Sequence, residues 1–423
     1  MALNAVTKHS VNSVAMNRTA VVRANHTYSH FVKTGATTNQ NKSGRCWLFA
    51  GLNLFRYSAA EKMNLEEFEL SQNYLMFWDK LEKSNYFLES ILKTLNEPTD
   101  SRLISWLVSS PIEDGGQWDM FVNLVKKYGV VPKETMPETE SSGSSGQMNE
   151  RITNKLRENA ARLRQANLSG ASLEDLKAEK SDMLAEVYRM LCIHLGEPPS
   201  EFLWQWRDKD KAFHRDGVLT PQQFFEKRIA FDLDSMVCLI HCPQRETPFE
   251  QMYSIGYLGN VIEGYPVRYL NVKMDVFKHA AKEMIKDGRS VWFGCDVGKM
   301  FDRDMGLLDT ELFDYESIYD VEFGMDKAER LDYGASLMTH AMALTGVDLD
   351  EDDVPRKWRV ENSWGDQGGD KGYMMMSDAW FDEYTYEVAV DKKYLTPELL
   401  ALLETKPVVL PPWHPMGSLA SSR

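Results

Sequence analysis

The sequence predicts an α+β fold in two parts, a helical first part and a sheet-rich second part. Three observations carry this. From Cys46 to about Pro132 apolar residues recur at helical spacing, and beyond Thr220 short apolar runs of strand character follow one another. Between them lies a charged helical stretch whose apolar stripes are too narrow for a core of its own.

The chain has 423 residues, 43% of them apolar, enough for two or three domains with real cores. A net charge of −15 favours solubility and opposes broad phosphate binding, while leaving room for a local basic patch. Five cysteines are an odd and sparse set, unlike a disulfide framework. Met1 to Ala20 alternates polar and apolar residues, so no secretory signal is expected there. No apolar run is long enough to span a membrane, and the cytoplasm is the expected location.

In chain order, a polar turn from Asn39 to Arg45 leads into an apolar helix that starts at Cys46. Further helices are expected at Ser71–Lys83, Tyr86–Leu95 and Gln117–Tyr128. Gly115 and Gly116 precede the last of these. They read either as a turn with Asp114 as helix cap or as a stretch that a substrate backbone can approach closely. Glu138 to Gln147, rich in Ser and Gly, reads as a linker. Two charged helices follow from Met148 to about Leu195, broken near Ser169–Ser172, with Ser172 and Asp175 as a capping-box variant. Their narrow stripes need a partner, in another subunit or in the same domain. Thr220-Pro221-Gln222-Gln223 opens a helix, and strands are expected at 235–241, 251–261, 267–272, 290–295, 357–362, 372–376 and 384–390. Met274–Lys286 is an interposed helix, and the acidic run Asp348–Asp353 is assigned no role. The last segment, Val408 to Arg423, is too proline-rich for a helix and is expected to be extended.

The candidate chemistry starts at Cys46. At a helix N-terminus the unpaired N–H groups and the macrodipole favour a thiolate. Arg45 adds a neighbouring cation, and the Gln40 amide is a donor able to aim at an oxyanion. Taken alone, Cys46 also fits a packed core cysteine. A second element lies far downstream, where His340 and Asn362 each interrupt an apolar run of strand character. A thiolate needs a base for its proton, and an asparagine oxygen can fix the imidazole tautomer without removing charge. Trp364 stands where it can shield that bond from water. Cys238, His241 and Cys242 read either as metal ligands or as a buried strand; no second pair stands at zinc spacing, so the strand is preferred and no metal or other cofactor is expected.

Six segments in this order resemble papain-type cysteine peptidases, and within them the bleomycin hydrolase family, along nearly the whole chain. They are Gln40 to Ala50, Asp114-Gly115-Gly116-Gln117-Trp118-Asp119-Met120, Arg207-Asp208-Lys209-Asp210-Lys211, Val291 to Lys299, Ser336 to Met342, and Glu361 to Gly365. The resemblance implies an α+β papain-like fold with a helical left domain, a sheet-rich right domain and an inserted helical hook. The segments are then 1–137 (N-terminal arm and helical domain), 138–219 (linker and oligomerisation hook), 220–407 (sheet-rich domain) and 408–423 (C-terminal arm in the active site). By the same resemblance Cys46 is the nucleophile, His340 the general base and acid, Asn362 its orienter and Gln40 the oxyanion-hole side chain. Gly115, Gly116, Trp364 and Ala420 fall at substrate-binding positions.

The implied protein is a cytosolic aminopeptidase acting on peptides with a free N-terminus, assembled as a homohexamer. Small amides such as bleomycin, and homocysteine thiolactone, are further implied substrates. Its arm fills the far side of the cleft and offers a carboxylate to the substrate's α-amino group. The chain departs from the papain pattern by having Gly44-Arg45 before the cysteine and a histidine much farther than about 130–150 residues downstream. Its tail carries His414 and Ser418 and runs past Ala420, so trimming toward Ala420 is expected. A reading from another class is a non-catalytic nucleic-acid-binding or scaffold protein on a peptidase fold, although no RNA- or DNA-binding motif is visible.

Overall fold

The structure, a computed structural model, describes residues 2–419. Its contacts gather the chain into two units, one of Met1–Asn39, Ser235–Met252 and Tyr269–Lys406, the other of Gln40–Asp234, Tyr253–Arg268 and Pro407–Arg423. This grouping cuts across the four segments drawn from sequence. Residues before Asn39 belong with the sheet because His30 and Phe31 pair antiparallel with Val347 and Gly346. Residues 220–234 belong with the helices because Lys62 donates to the Ile229 carbonyl at 2.9 Å and Phe55 packs on Phe225 and Phe231.

The helical unit is built on α1 (Cys46–Lys62), α2 (Gln72–Lys93), α3 (Trp118–Tyr128), α4 (Gly146–Leu168) and α5 (Leu173–Leu195). Every residue of α1 from Cys46 to Arg56 is buried, which explains its unbroken apolar start. The sequence suggests two helices where α2 is one. Its serines satisfy themselves within the helix: the Ser84 and Ser90 hydroxyls donate to the carbonyls of Lys80 and Tyr86, four residues back, at 2.7 and 2.8 Å.

The pair α4–α5, with the expected capping box at Ser172 and Asp175, finds its partner inside its own unit. Ile152, Leu156, Leu163, Met183, Val187 and Leu191 are buried, and the Phe77 ring meets Tyr188 edge-on at 5.4 Å. Asn73 of α2 donates to the Leu195 carbonyl at 3.0 Å, and Lys180 of α5 reaches back to Asn85 at 2.9 Å. The Ser- and Gly-rich stretch 138–147 is not a loose linker. Thr139 and Ser142 form a reciprocal capping box, and Ser142 and Ser145 are buried. Sequence also missed a hairpin of β1 (Phe202–Arg207) and β2 (Phe213–Leu219), whose turn carries Asp208–Lys211 and puts Lys211 in the left-handed region at φ 66°.

The other unit holds β3 (Met236–Ile240), the start of β4 (Gln251–Ile255), most of β5 (Arg268–Asn271), α6 (Met274–Lys286), β6 (Val291–Cys295), β7 (His340–Leu349), β8 (Pro355–Glu361), β9 (Tyr373–Ser377) and β10 (Thr385–Asp391). Strand order is β5-β3-β10-β6-β7-β8-β9, with β5 and β3 parallel and the pairs from β3 to β9 antiparallel. Central β6 and β10 are buried throughout; β6 reads as an apolar run, whereas β10 buries Thr385, Glu387 and Asp391 among its apolar residues. The strand expected to reach residue 261 stops at Ile255, because Tyr257 takes φ 56° and ends the extended run. The last strand, β11 (Val408–Leu410), pairs in parallel with Tyr253–Ile255.

Candidate active site

Cys46 is the first residue of α1 and is fully buried. The loop that delivers it is fixed by one carboxylate. Asp114 accepts from the Gly44 N–H at 2.8 Å, Asn149 at 2.8 Å, Lys80 at 2.6 Å and the Ser145 hydroxyl. Burial alone would raise this carboxyl, but the Lys80 charge and the donors from Lys80, Ser145 and Asn149 hold it well below the usual carboxylate range. Asp114 is thus the joint between the Cys46 loop, α2 and α4, and not the cap of α3, whose N-cap position is Gln117.

Arg45 does not serve as a spare cation for the thiol. Its side chain is 0% exposed and forks onto Glu138 at 3.1 and 2.8 Å, with Nε on Ser43 at 2.9 Å. Gln40 donates from Nε2 to the Ser43 carbonyl at 2.5 Å while the Ser43 hydroxyl returns to the Gln40 carbonyl at 2.7 Å, which closes the turn before Cys46. One of the two amide N–H groups of Gln40 is therefore engaged within the loop.

Gly116 lies against Trp47, the residue after the cysteine. A Cβ on Gly116 would stand 2.6 Å from the indole, so the close approach requires glycine here. Trp47 Nε1 donates to the Asp114 carbonyl at 2.6 Å. Lys83 donates to the carbonyls of Glu113 at 2.9 Å and Gly115 at 2.5 Å, pairs with Asp79 at 2.7 Å and lies 5.2 Å from the Trp47 ring centroid. Sequence reasoning passed over Asp79, Lys80 and Lys83. The signal was present: Asp79 and Lys80 directly follow the unbroken apolar and aromatic run Tyr74 to Trp78.

In the sheet-rich unit His340 opens β7 with its backbone opposite Cys295. Its Nε2 lies 2.8 Å from Asn362 Oδ1. That oxygen also accepts the Ser363 N–H at 2.8 Å, and Asn362 Nδ2 faces Met374 Sδ at 3.7 Å, which settles which end of the amide meets the ring. An oxygen acceptor puts the proton on Nε2 and leaves Nδ1 as the basic nitrogen. Burial drives the imidazole down to about 4, against the Asn362 hydrogen bond, which favours the charged form.

Trp364 lies over this pair, its ring 4.9 Å from His340 and inclined by 35°. The Arg303 guanidinium stands 4.7 Å from the indole centroid, and Trp364 bridges to Asn39, the residue before Gln40, with the Gly365 N–H donating to the Thr38 carbonyl at 2.9 Å. The structure therefore brings His340, Asn362 and Trp364 together in one unit, and Cys46, Gln40, Gly115 and Gly116 in the other.

As far as Leu419 the tail is extended, as expected, apart from a turn at residues 412–414 and a short 3₁₀ turn at Pro415–Gly417. It is docked on the helical unit. The Arg102 guanidinium lies 3.9 Å from the Trp413 ring, Met416 is buried, and Gln117 Nε2 donates to the Ser418 carbonyl at 2.8 Å. Ala420 lies outside the described residues. Cys238 and Cys242 hydrogen-bond through sulfur to Glu387 at 3.1 Å and Gln244 at 3.2 Å, and all five cysteines are present as thiols. No helix is long and apolar enough to cross a membrane among the described residues.

A thiol at a helix start and an imidazole at the start of one strand paired with an asparagine just past the end of its neighbour are the residue types of a papain-like cysteine peptidase. The chain belongs to the Peptidase C1-like family, whose profile matches residues 1–417. It is 48% identical over 415 residues to aminopeptidase C of Listeria monocytogenes, covering 98% of this chain and 93% of that one. To bleomycin hydrolase of Homo sapiens it is 44% identical over 429 residues, covering 99% and 94%. The crystal structure of PepW from Lactobacillus rhamnosis matches with a TM-score of 0.98 and 48% identity, over 99% of this chain and 94% of that one. The α+β papain-like fold read from sequence is the fold of this chain, and the chain is an enzyme of the cysteine peptidase class.

Proposed function

We propose that the protein is a cysteine aminopeptidase in which Cys46 is the nucleophile and His340 its general base and acid. The observation that carries this reading is the 2.8 Å bond from His340 Nε2 to Asn362 Oδ1, which leaves Nδ1 basic, while burial keeps the ring neutral until a thiol proton arrives. The Cys46 sulfur gives that proton to His340 and attacks the first peptide carbonyl. The Cys46 N–H and the Gln40 amide receive the oxyanion. His340 returns the proton to the leaving amine, and water, deprotonated by the same imidazole, then releases the acyl group as a carboxylic acid. The relatives named aminopeptidase C and bleomycin hydrolase support the reaction class.

Asn362 orients the ring and transfers no proton. Asn362→Ala is expected to lower kcat by about 10- to 100-fold, less than His340→Ala, which removes the acid–base group itself. Steady-state kinetics of the two variants on one peptide check this, and equal losses would contradict the assigned roles.

The substrate is a peptide with a free N-terminus, laid along the backbone of Gly115 and Gly116, with Trp364 bordering the histidine side. The docked tail sets the exopeptidase limit in this reading, and the Gln117–Ser418 bond, one residue beyond Gly116, supports it. Deletion of Gly417 to Arg423 is expected to open N-acetylated peptides to internal cleavage, read as new fragments by mass spectrometry. A truncated enzyme that still releases single N-terminal residues only would remove the arm from the mechanism. Small amides such as bleomycin, and homocysteine thiolactone, offer the same carbonyl to the same thiol. A cytoplasmic homohexamer completes the reading, and Leu168, Leu173 and Ile193 at the ends of α4 and α5 supply exposed apolar side chains for subunit contact. The deciding experiment is kinetics on matched free and N-blocked peptides before and after alkylation of Cys46.

A further inference from the structure

We infer that Asp296 is a positioning residue for His340, acting through Ser336 and Thr339. The inference rests on the reading of His340 as the general base. Two of the segments singled out in the sequence, Val291–Lys299 and Ser336–Met342, have no chemistry assigned beyond His340, and they meet at this point. Asp296 follows β6 directly and is buried. One carboxylate oxygen accepts the Ser336 hydroxyl at 2.8 Å and the other accepts the Thr339 hydroxyl at 3.2 Å. These are the residues four before and one before His340.

The carboxylate is itself held in place. The Asp296 N–H donates to the Tyr384 carbonyl at 3.0 Å, and the Thr339 N–H donates to the Cys295 carbonyl at 2.9 Å. Ser336 Oγ lies 2.7 Å from the Tyr386 hydroxyl, so with the Ser336 proton on Asp296 the tyrosine is the donor. Between the two anchored hydroxyls, Met338 packs over Gly294, where a Cβ would stand 2.2 Å from its sulfur. Every residue from Ser336 to His340 except Leu337 is thereby tied to β6, to Asp296 or to Tyr386.

The consequence is geometric. His340 enters β7 from this segment, and its ring is fixed at the far end by Asn362. A bond at Nε2 sets the rotation of the ring, but the Cα from which the ring hangs is set by the clamp. A shift of about 1 Å in a transferring group costs on the order of 100-fold in rate, so loosening the clamp should lower the rate of the chemical step and leave substrate affinity alone.

The test compares Thr339→Val, which keeps the shape and removes the hydroxyl, with Thr339→Ser, which restores it, alongside Asp296→Asn and His340→Ala. All are measured as kcat and KM on one peptide with a free N-terminus. Thr339→Val and Asp296→Asn are expected to lose tenfold or more in kcat with KM within about twofold, and Thr339→Ser to recover kcat to within about threefold of the parent. Retained kcat in Thr339→Val, a loss carried in KM, or an equal loss in Thr339→Ser overturns the clamp. His340→Ala separates the two claims. An active His340→Ala enzyme overturns the reading of the base and the clamp together, whereas an inactive one beside a normal Thr339→Val overturns the clamp alone. Should Asp296→Asn fail to fold, the threonine pair decides the matter.

Discussion

Replacing Cys46 by alanine is expected to lower kcat for peptide hydrolysis by about 10⁴-fold or more while leaving the protein folded. Loss of a nucleophile removes the covalent route altogether, and only substrate binding and oxyanion contacts remain to act on water. The structural cost is small. One buried sulfur is lost, comparable to one methylene, and the helix start is held by Gly44 on Asp114 and Arg45 on Glu138, neither of which involves the thiol. Circular dichroism and thermal melting should match the parent closely, and a radiolabelled alkylating agent that tags one fast-reacting cysteine in the parent should tag none at that rate in the variant. Turnover that survives the substitution would place the nucleophile elsewhere.

Asp114→Ala is expected to cost about 3–5 kcal/mol of stability, because it strands the Lys80 ammonium, whose side chain is 0% exposed, without a partner. It also deprives Gly44, Ser145 and Asn149 of their shared acceptor. Activity should fall further than stability alone explains, since the Gly44 anchor stands two residues from Cys46. The pH dependence has a definite sign. The folded carboxyl sits well below its ordinary value of about 3.9, so its contribution is fully present above that value and is lost as pH falls through the depressed folded value. Asp114→Asn, which keeps the shape but cannot ionise, should therefore melt below the parent at pH 7 and approach it as the solution is acidified toward pH 2. A variant as stable as the parent at pH 7 would show that the carboxylate is not the joint described.

The elements with strong local signals were legible in the sequence. The Cys46 helix, the Thr220 start and the helix Met274–Lys286 follow directly from apolar spacing and caps. What was hidden is which distant group each polar residue meets. Ser142 and Ser145 look like linker residues because a hydroxyl that caps a turn or binds a buried carboxylate has the same sequence as one that faces water. Arg45 looks like a cation near a thiol until Glu138, from a segment far along the chain, neutralises it.

Cys46 and Gln40 could be nominated from their own neighbourhood. His340 and Asn362 could be offered only as two polar residues interrupting apolar runs, since β7 and β8 slip register at two places and no period counts the bulges. Family resemblance assigned their roles, and the 2.8 Å bond is what the structure adds.

The indole lying over His340 makes the site readable by light. An imidazolium accepts an electron from an excited indole, whereas a neutral imidazole does so poorly, so Trp364 is a built-in optical reporter of the charge on a ring 4.9 Å away. With 11 tryptophans in the chain the signal is isolated as the difference in emission between the parent and Trp364→Phe. Followed in real time, that difference would register the arrival and departure of a proton at His340 during a single turnover, without a dye, a tag or a modified substrate.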